Sequence, residues 1–152
     1  MNTESTSCYS YFLIKSNGTL DYYKGFIPAK NSNFDPDEIT KVISIEPFKV
    51  IKYGTLKGNG KSTYNFSAWF GCRQAEPMVS RSQQCLNIVL ELKPYIAFLK
   101  AIKEKYNVCF TIEVFPCDAN TDVIEINHEI IDFCYQTGTE IVVDTFLYSQ
   151  KA

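Results

Sequence analysis

Histidine is nearly missing from this chain: among 152 residues only His128 carries an imidazole. That scarcity removes much common enzymology at once. A Ser-His or Cys-His nucleophile pair would have to be built on His128 itself, and His128 has no ligand partner at metal spacing. Tryptophan is as scarce, with Trp69 alone. No G-x-S-x-G elbow occurs. The six cysteines (Cys8, Cys72, Cys85, Cys109, Cys117, Cys134) include no C-x-x-C pair. Lysine and arginine never gather in a run. With a net charge of −2 and a pI of about 5.4, the chain lacks the electrostatic footprint of a nucleic-acid binder. Residues 8–14 are too short and too polar for a signal peptide or a membrane span. The expectation is a cytoplasmic protein with no metal, no cofactor, no nucleic acid and no membrane. Its six thiols stay free as small buried hydrophobes.

What the chain has is grease. The hydrophobic fraction is 45% and the aromatic fraction 14%, with ten Tyr and eleven Phe. That content argues against disorder, and the length suits one domain. A single domain over 8–150 is expected, behind a disordered tail over 1–7.

The sharpest local signal is Phe34-Asp35-Pro36-Asp37-Glu38-Ile39-Thr40. Asp35 can cap a helix and Pro36 falls at the first helical position, where its missing N–H costs nothing. Glu38 is spaced to reach back to the cap's N–H, and Phe34 and Ile39 stand at the two positions of a hydrophobic staple. These signals predict a helix over 36–43. A longer one is expected over 82–106, from the stripe Cys85, Ile88, Leu92, Tyr95, Leu99, Ile102 and Tyr106 at helical steps. Pro94 lies inside it without breaking phase, which predicts a kink. Asn127 can cap a short helix over 128–137, and Gly138 can end it.

Alternation marks strands at 8–16, 48–53, 63–71, 108–115 and 139–148. Asn17-Gly18 is a hairpin signal that would return 19–27 against 8–16. Residues 54–62 and 116–121 read as loops. The fold class is therefore α+β: a mainly antiparallel sheet of four to six strands, packed against one long kinked helix and two short helices.

Few residues stand out chemically. Gly60-Lys61-Ser62 looks like the end of a phosphate loop, but the glycine needed five positions earlier is Thr55, and residues 63–71 alternate as a strand where the motif needs a helix. Asp144 shares a strand face with Val142 and Phe146. A carboxylate among apolar neighbours needs a partner or shifts its pKa, unless it guards a sheet edge. Glu113 stands similarly between Thr111 and Phe115. If the two strands were neighbours, Glu113 and Asp144 could share a face. Trp69 ordinarily belongs to a core, although its position near the Gly/Lys loop with Lys57 leaves a binding cleft open.

The sequence resembles a bacterial domain-of-unknown-function family, number 4279. The resemblance is carried by residues 34–40, Ile45-Glu46-Pro47, Lys57-Gly58, Trp69, Leu92-Lys93-Pro94 and Gly138-Thr139-Glu140-Ile141-Val142-Val143-Asp144. Family members commonly carry Leu-Gly where this chain has Ile43-Ser44. The resemblance implies a small stand-alone cytoplasmic protein with this order of elements, and no activity to carry over.

Three functions remain open. The first is a protein-interaction or binding module; its sharper form is an immunity-type protein neutralising a toxin, whose basic surface carboxylates could meet. The second is a small-molecule-binding or hydrolytic enzyme using Asp144 and Glu113, with Trp69 and Lys57 nearby. The third is self-association through the aromatics of the N-terminal hairpin. A cleft holding both carboxylates and Trp69 would favour the enzyme, and a flat surface would favour interaction.

Overall fold

In the computed structural model, which describes residues 8–117 and 123–144, the central strand is the first one. β1 (Tyr9–Ser16) alternates without a fault, with Ser10, Phe12, Ile14 and Ser16 buried on one face. It is flanked antiparallel by β5 (Ala68–Gln74) and by β6 (Val108–Phe115). Outside them lie β4 (Lys49–Ile51), antiparallel to β5, and β7 (Thr139–Val143), parallel to β6. The order is β4-β5-β1-β6-β7, so the expected mainly antiparallel sheet is present with five strands. β2 (Gly18–Asp21) and β3 (Gly25–Pro28) form a separate two-stranded ribbon.

Helices cover one face. α1 (Pro36–Ile43) starts as its sequence dictates: Asp35 Oδ1 accepts from Asp37 N at 3.0 Å, and Phe34 and Ile39 are both buried. α2 (Arg81–Leu92) and α3 (Ile96–Lys105) are the two halves of the long helix, joined by a 3-10 turn at Lys93–Tyr95 where Pro94 removes an N–H. α4 (His128–Thr137) is capped by Asn127, whose Oδ1 accepts from Ile130 N at 3.0 Å, and ends at Gly138 with φ 67°. His128 is an exposed helix start. The core lies between this layer and the sheet: Phe12, Ile14, Phe110, Ile112, Cys85, Ile88, Leu92, Leu99, Ile102 and Phe133 are all buried. Buried polar groups are tied together, with Ser10 Oγ donating to Gln84 Oε1 (2.9 Å) and Gln84 Nε2 donating to Cys8 O (3.1 Å).

Four expectations need correction. Asn17-Gly18 does not turn β1 back on itself; β1 is paired on both sides already, and the hairpin is β2–β3. Its turn is made by Asp21, whose carboxylate accepts from the N–H groups of Tyr23 and Lys24 at 2.8 Å each. The strand expected over 63–71 begins at Ala68 and runs on to Gln74. Glu38 does not close a capping box: Lys105 Nζ (2.8 Å) and Tyr106 OH (2.9 Å) donate to its carboxylate, tying α1 to the end of α3. Finally, not all thiols are free. Cys8 and Cys117 form a disulfide with their Cα atoms 4.3 Å apart, because the β1–β6 ladder brings together residues 109 apart in sequence. The expected tail over 1–7 and parts of the loop at 116–121 and the strand at 139–148 fall outside the described residues.

No helix among the described residues is long and apolar enough to cross a membrane.

Candidate functional site

Among the described residues, the face of the sheet away from the helices is covered at one end. At the Ser16 end of β1 the ribbon and the loop before β5 close over it. There Lys15 Nζ lies 4.7 Å from the Phe26 ring and 5.0 Å from the Phe66 ring, and Asn65 Nδ2 donates to Phe26 O at 2.6 Å. At the Tyr9 end nothing comparable is in place among the described residues. Tyr9 stacks on Phe115 at 4.5 Å, and Tyr11 meets Phe48 at 5.4 Å, Phe70 at 5.7 Å and Phe115 at 5.9 Å. These rings make an aromatic plate across β4, β5, β1 and β6, with Phe48 still 44% exposed. Tyr9, Tyr11, Phe70 and Phe115 are half-buried.

Arg73 joins the plate through a β-bulge. Between Ser10↔Gln74 and Phe12↔Gly71, β5 carries one residue more than β1. Cys72 takes the left-handed conformation there, at φ 56°. Strict alternation from Phe70 would send residue 73 to the helix side. The inserted residue re-aims it. The Arg73 guanidinium carbon lies 5.5 Å from both the Tyr9 and Phe48 rings, on the open face. Gly71 is required beneath it, since a Cβ there would overlap Cη2 and Cζ3 of Trp69.

On the other flank stand the carboxylates. β6 and β7 are neighbours, with Glu113↔Val142 and Thr111↔Glu140 in register. Asp144 continues β7, its N–H donating to Val114 O at 2.8 Å. Glu113, Glu140 and Asp144 therefore lie on one face, the open one. Burial raises the Glu113 carboxyl and the Asp144 charge raises it further, against a hydrogen bond from Thr111 Oγ1 (3.3 Å) and the pull of Lys15. Tyr11, facing Glu113 across the ladder, is pushed up to about 12, first by burial and then by the Glu113 charge.

The sequence candidates thus separate. Glu113 and Asp144 come together. Trp69 is fully buried on the opposite, helix-facing side, with Nε1 donating to Thr40 Oγ1 at 3.0 Å. Lys57 sits in the β4–β5 loop over the Tyr64 ring at 5.6 Å, and the cation Glu113 feels is Lys15 instead. Arg73, Tyr9, Tyr11, Phe48, Phe70 and Phe115 were missed. The alternation of β1 places Tyr9 and Tyr11 on its outward face and could have flagged them. Arg73 had no signal, because the bulge residue is a cysteine and not a glycine.

Two clefts lie elsewhere. One of about 300 Å³ opens beside the start of α1, lined by Asn33, Phe34, Asp35, Pro36, Lys52, Tyr53 and Ser67, with the Lys52–Asp37 ion pair (2.6 Å) close by. Another, of about 270 Å³, is lined by Ser80, Ser82, Gln83, Leu86, Glu125, Asn127 and Ile130. Neither contains Glu113 or Asp144. The described free thiols are poor nucleophiles: burial raises Cys109, Cys134 and Cys72, and raises Cys85 to about 11. Among the described residues no three of His, Cys, Asp and Glu gather where a metal could sit.

No characterised protein and no solved structure matches the chain. A family model does: the domain of unknown function DUF4279 matches residues 6–148, nearly the whole length, and the chain belongs to that family.

Proposed function

We propose that this domain, over residues 8–150, is a protein-interaction module that docks its partner on the open half of the sheet. The observation that carries the reading is the aromatic plate of Tyr9, Tyr11, Phe48, Phe70 and Phe115, on the sheet face opposite the helices and bordered by Arg73 on one side and Glu113 and Asp144 on the other. Aromatic anchors inside a charged rim are how protein interfaces are built. Of the residues first singled out, Glu113 and Asp144 belong to this face, while Trp69 supports it from the core. The sharper, immunity-type form would set Glu113, Glu140 and Asp144 against the basic surface of a toxin. The working compartment is the cytoplasm, where Cys72, Cys85, Cys109 and Cys134 remain thiols and the Cys8–Cys117 bridge would be open to exchange.

A second reading, a small-molecule-binding or hydrolytic enzyme, has one observation in its favour. The half-buried Glu113, with its raised pKa, has the character of a general acid. Against it, the carboxylates lie on an open plate and Trp69 lies on the other side of the sheet.

The test is copurification from the native cell with wild type, with Tyr11→Lys at the centre of the plate, and with Tyr22→Ser at the exposed ribbon tip. A partner retained by wild type and Tyr22→Ser but lost by a folded Tyr11→Lys supports the reading. A partner held equally by all three, or turnover of a substrate that depends on Glu113, overturns it.

A further inference from the structure

The open face is charged in halves, and the halves match row by row. Along one row across the sheet, Lys49 (β4), Phe70 (β5), Leu13 (β1), Thr111 (β6) and Glu140 (β7) are successive register partners. Lys49 and Glu140 therefore flank Leu13 at one level, two strands out on either side. In the next row Tyr11 pairs with Glu113 on β6, while the bulge sets Arg73 level with Tyr11 on β5. Arg73 and Glu113 flank Tyr11 at one level, one strand out on either side. Cations stand on the β4–β5 half and anions on the β6–β7 half. Lys49, Arg73 and Glu140 are exposed, and Glu113 is half-buried.

We propose that the partner seated on this face is a second copy of the same chain, packed sheet to sheet about a two-fold axis that runs along β1 beneath Tyr11. The inference rests on reading the face as a docking surface. A rotation of 180° about that axis exchanges left and right and leaves level along the strand unchanged. It brings Arg73 of one copy over Glu113 of the other, and Lys49 over Glu140, each contact made twice. An axis across the strands would set like charges together. A one-signed face would ask for a partner of opposite sign. This face is split down its middle strand and asks for its own mirror pattern, which the same chain turned about β1 supplies. Tyr9, Tyr11 and Leu13 lie on the axis and meet their counterparts, filling the gap of about 10 Å between stacked sheets. Stacked sheets cross at about 30°, so the match is tightest for Arg73–Glu113, next to the axis, and loosens toward Lys49–Glu140. Because level is kept, the ribbons that close over the Ser16 end of each copy face one another there, and the sheets meet at the Tyr9 end; the sequence alone points to self-association at the ribbon tip, where Tyr22 and Tyr23 are exposed.

Light scattering on the purified chain is the first measurement. The expected mass is 34.8 kDa, twice the 17.4 kDa of one chain, at micromolar concentration. R73E and E113K, each checked for fold by near-ultraviolet circular dichroism, should each scatter as single chains. An equimolar mixture of the two should return to the mass of a pair, because a two-fold contact then sets the native Arg73 against the native Glu113 and one reversed charge against the other. K49E mixed with E140K gives the same readout at the outer strands. A wild type that stays single overturns the proposal, and so does a mixture of folded variants that fails to pair, or a dimer untouched by R73E. If the wild type is single but Tyr11→Lys still releases a cellular partner, the two-fold falls and the docking face survives. If neither self-association nor any partner depends on these residues, both readings fall.

Discussion

Replacing Gly71 by alanine should cost far more than a methyl group normally does. The new Cβ would overlap Cη2 and Cζ3 of Trp69 and lie 2.9 Å from Cζ2. The ring cannot swing into free space, since Trp69 is fully buried and Nε1 is held by Thr40 Oγ1 at 3.0 Å. Overpacking of this kind costs about 1–3 kcal/mol, and an indole N–H left buried without its acceptor adds about 1–3 kcal/mol. Against that, alanine narrows the unfolded ensemble and returns about 0.4–1 kcal/mol. The net loss settles near 2–4 kcal/mol, which for a chain of this size lowers Tm by roughly 4–16 °C. Because Trp69 is the sole tryptophan, its emission reports on the same contact and should shift red in the variant. Gly58, whose added Cβ would meet nothing within 4 Å, is the internal control and should melt at or slightly above wild type, since only the narrowing of the unfolded ensemble remains. If Gly71→Ala and Gly58→Ala melt together with unchanged emission, the indole does not lie over Gly71 and the account of the β5 core is wrong.

Further outcomes are expected at other positions. Ser44 ends α1 at φ 54°, a conformation glycine adopts without strain, so Ser44→Gly should stabilise by about 0.5–1 kcal/mol in urea titration. Cys72 is buried at φ 56°, so Cys72→Gly, which relieves the strain, should be more stable than Cys72→Ala by about 0.5–1 kcal/mol although it is smaller; differential scanning calorimetry of the pair decides it. Glu113 has a raised carboxyl, so the fold keeps its proton longer than the unfolded chain does; the stability it contributes is present below 4.5 and is lost as pH climbs through the folded value. Glu113→Gln should flatten that decline, seen by comparing urea midpoints across pH. Glu38 acts with the opposite sign: the Lys105 hydrogen bond lowers it, its stability is present above 4.5 and lost as pH falls, and Glu38→Gln should remove that acid-side loss.

The elements that local chemistry specifies were legible in the sequence. Asp35-Pro36 started α1, Asn127 and Gly138 bounded α4, and the stripe from Cys85 to Ile102 ran through Pro94. What depends on distant partners was not. Asn17-Gly18 can turn a hairpin, but β1 finds better partners in β5 and β6, which bury Phe12 and Ile14 from both sides. Glu38 can reach its own cap, but Lys105 and Tyr106 offer a second charge and a hydroxyl. The disulfide needed the register of two strands nearly a chain length apart. Of the candidate site, the shared face of Glu113 and Asp144 was legible as a conditional, resting on strand adjacency that alternation alone does not carry. Trp69 and Lys57 were drawn in by sequence proximity, and a sheet separates its faces by parity rather than by distance along the chain.

That parity argument also explains why one residue in β5 matters to the whole face. Had the strand run regularly past Phe70, Cys72 would face outward and Arg73 would be driven among Phe12, Val89 and the rest of the core, where a guanidinium without a paired carboxylate is costly. The bulge takes Gly71 and Cys72 together on the buried side, where glycine makes room for the indole and cysteine serves as a small hydrophobe. It then releases Arg73 outward at the level of Tyr11 and Glu113. The left-handed strain at Cys72 accompanies the bulge that sets Arg73 opposite Glu113 across the central strand. The core alone already calls for the bulge, since it keeps the Arg73 guanidinium out. The same inserted residue places the one arginine of β5 on the aromatic plate, so it serves the core and the open face together.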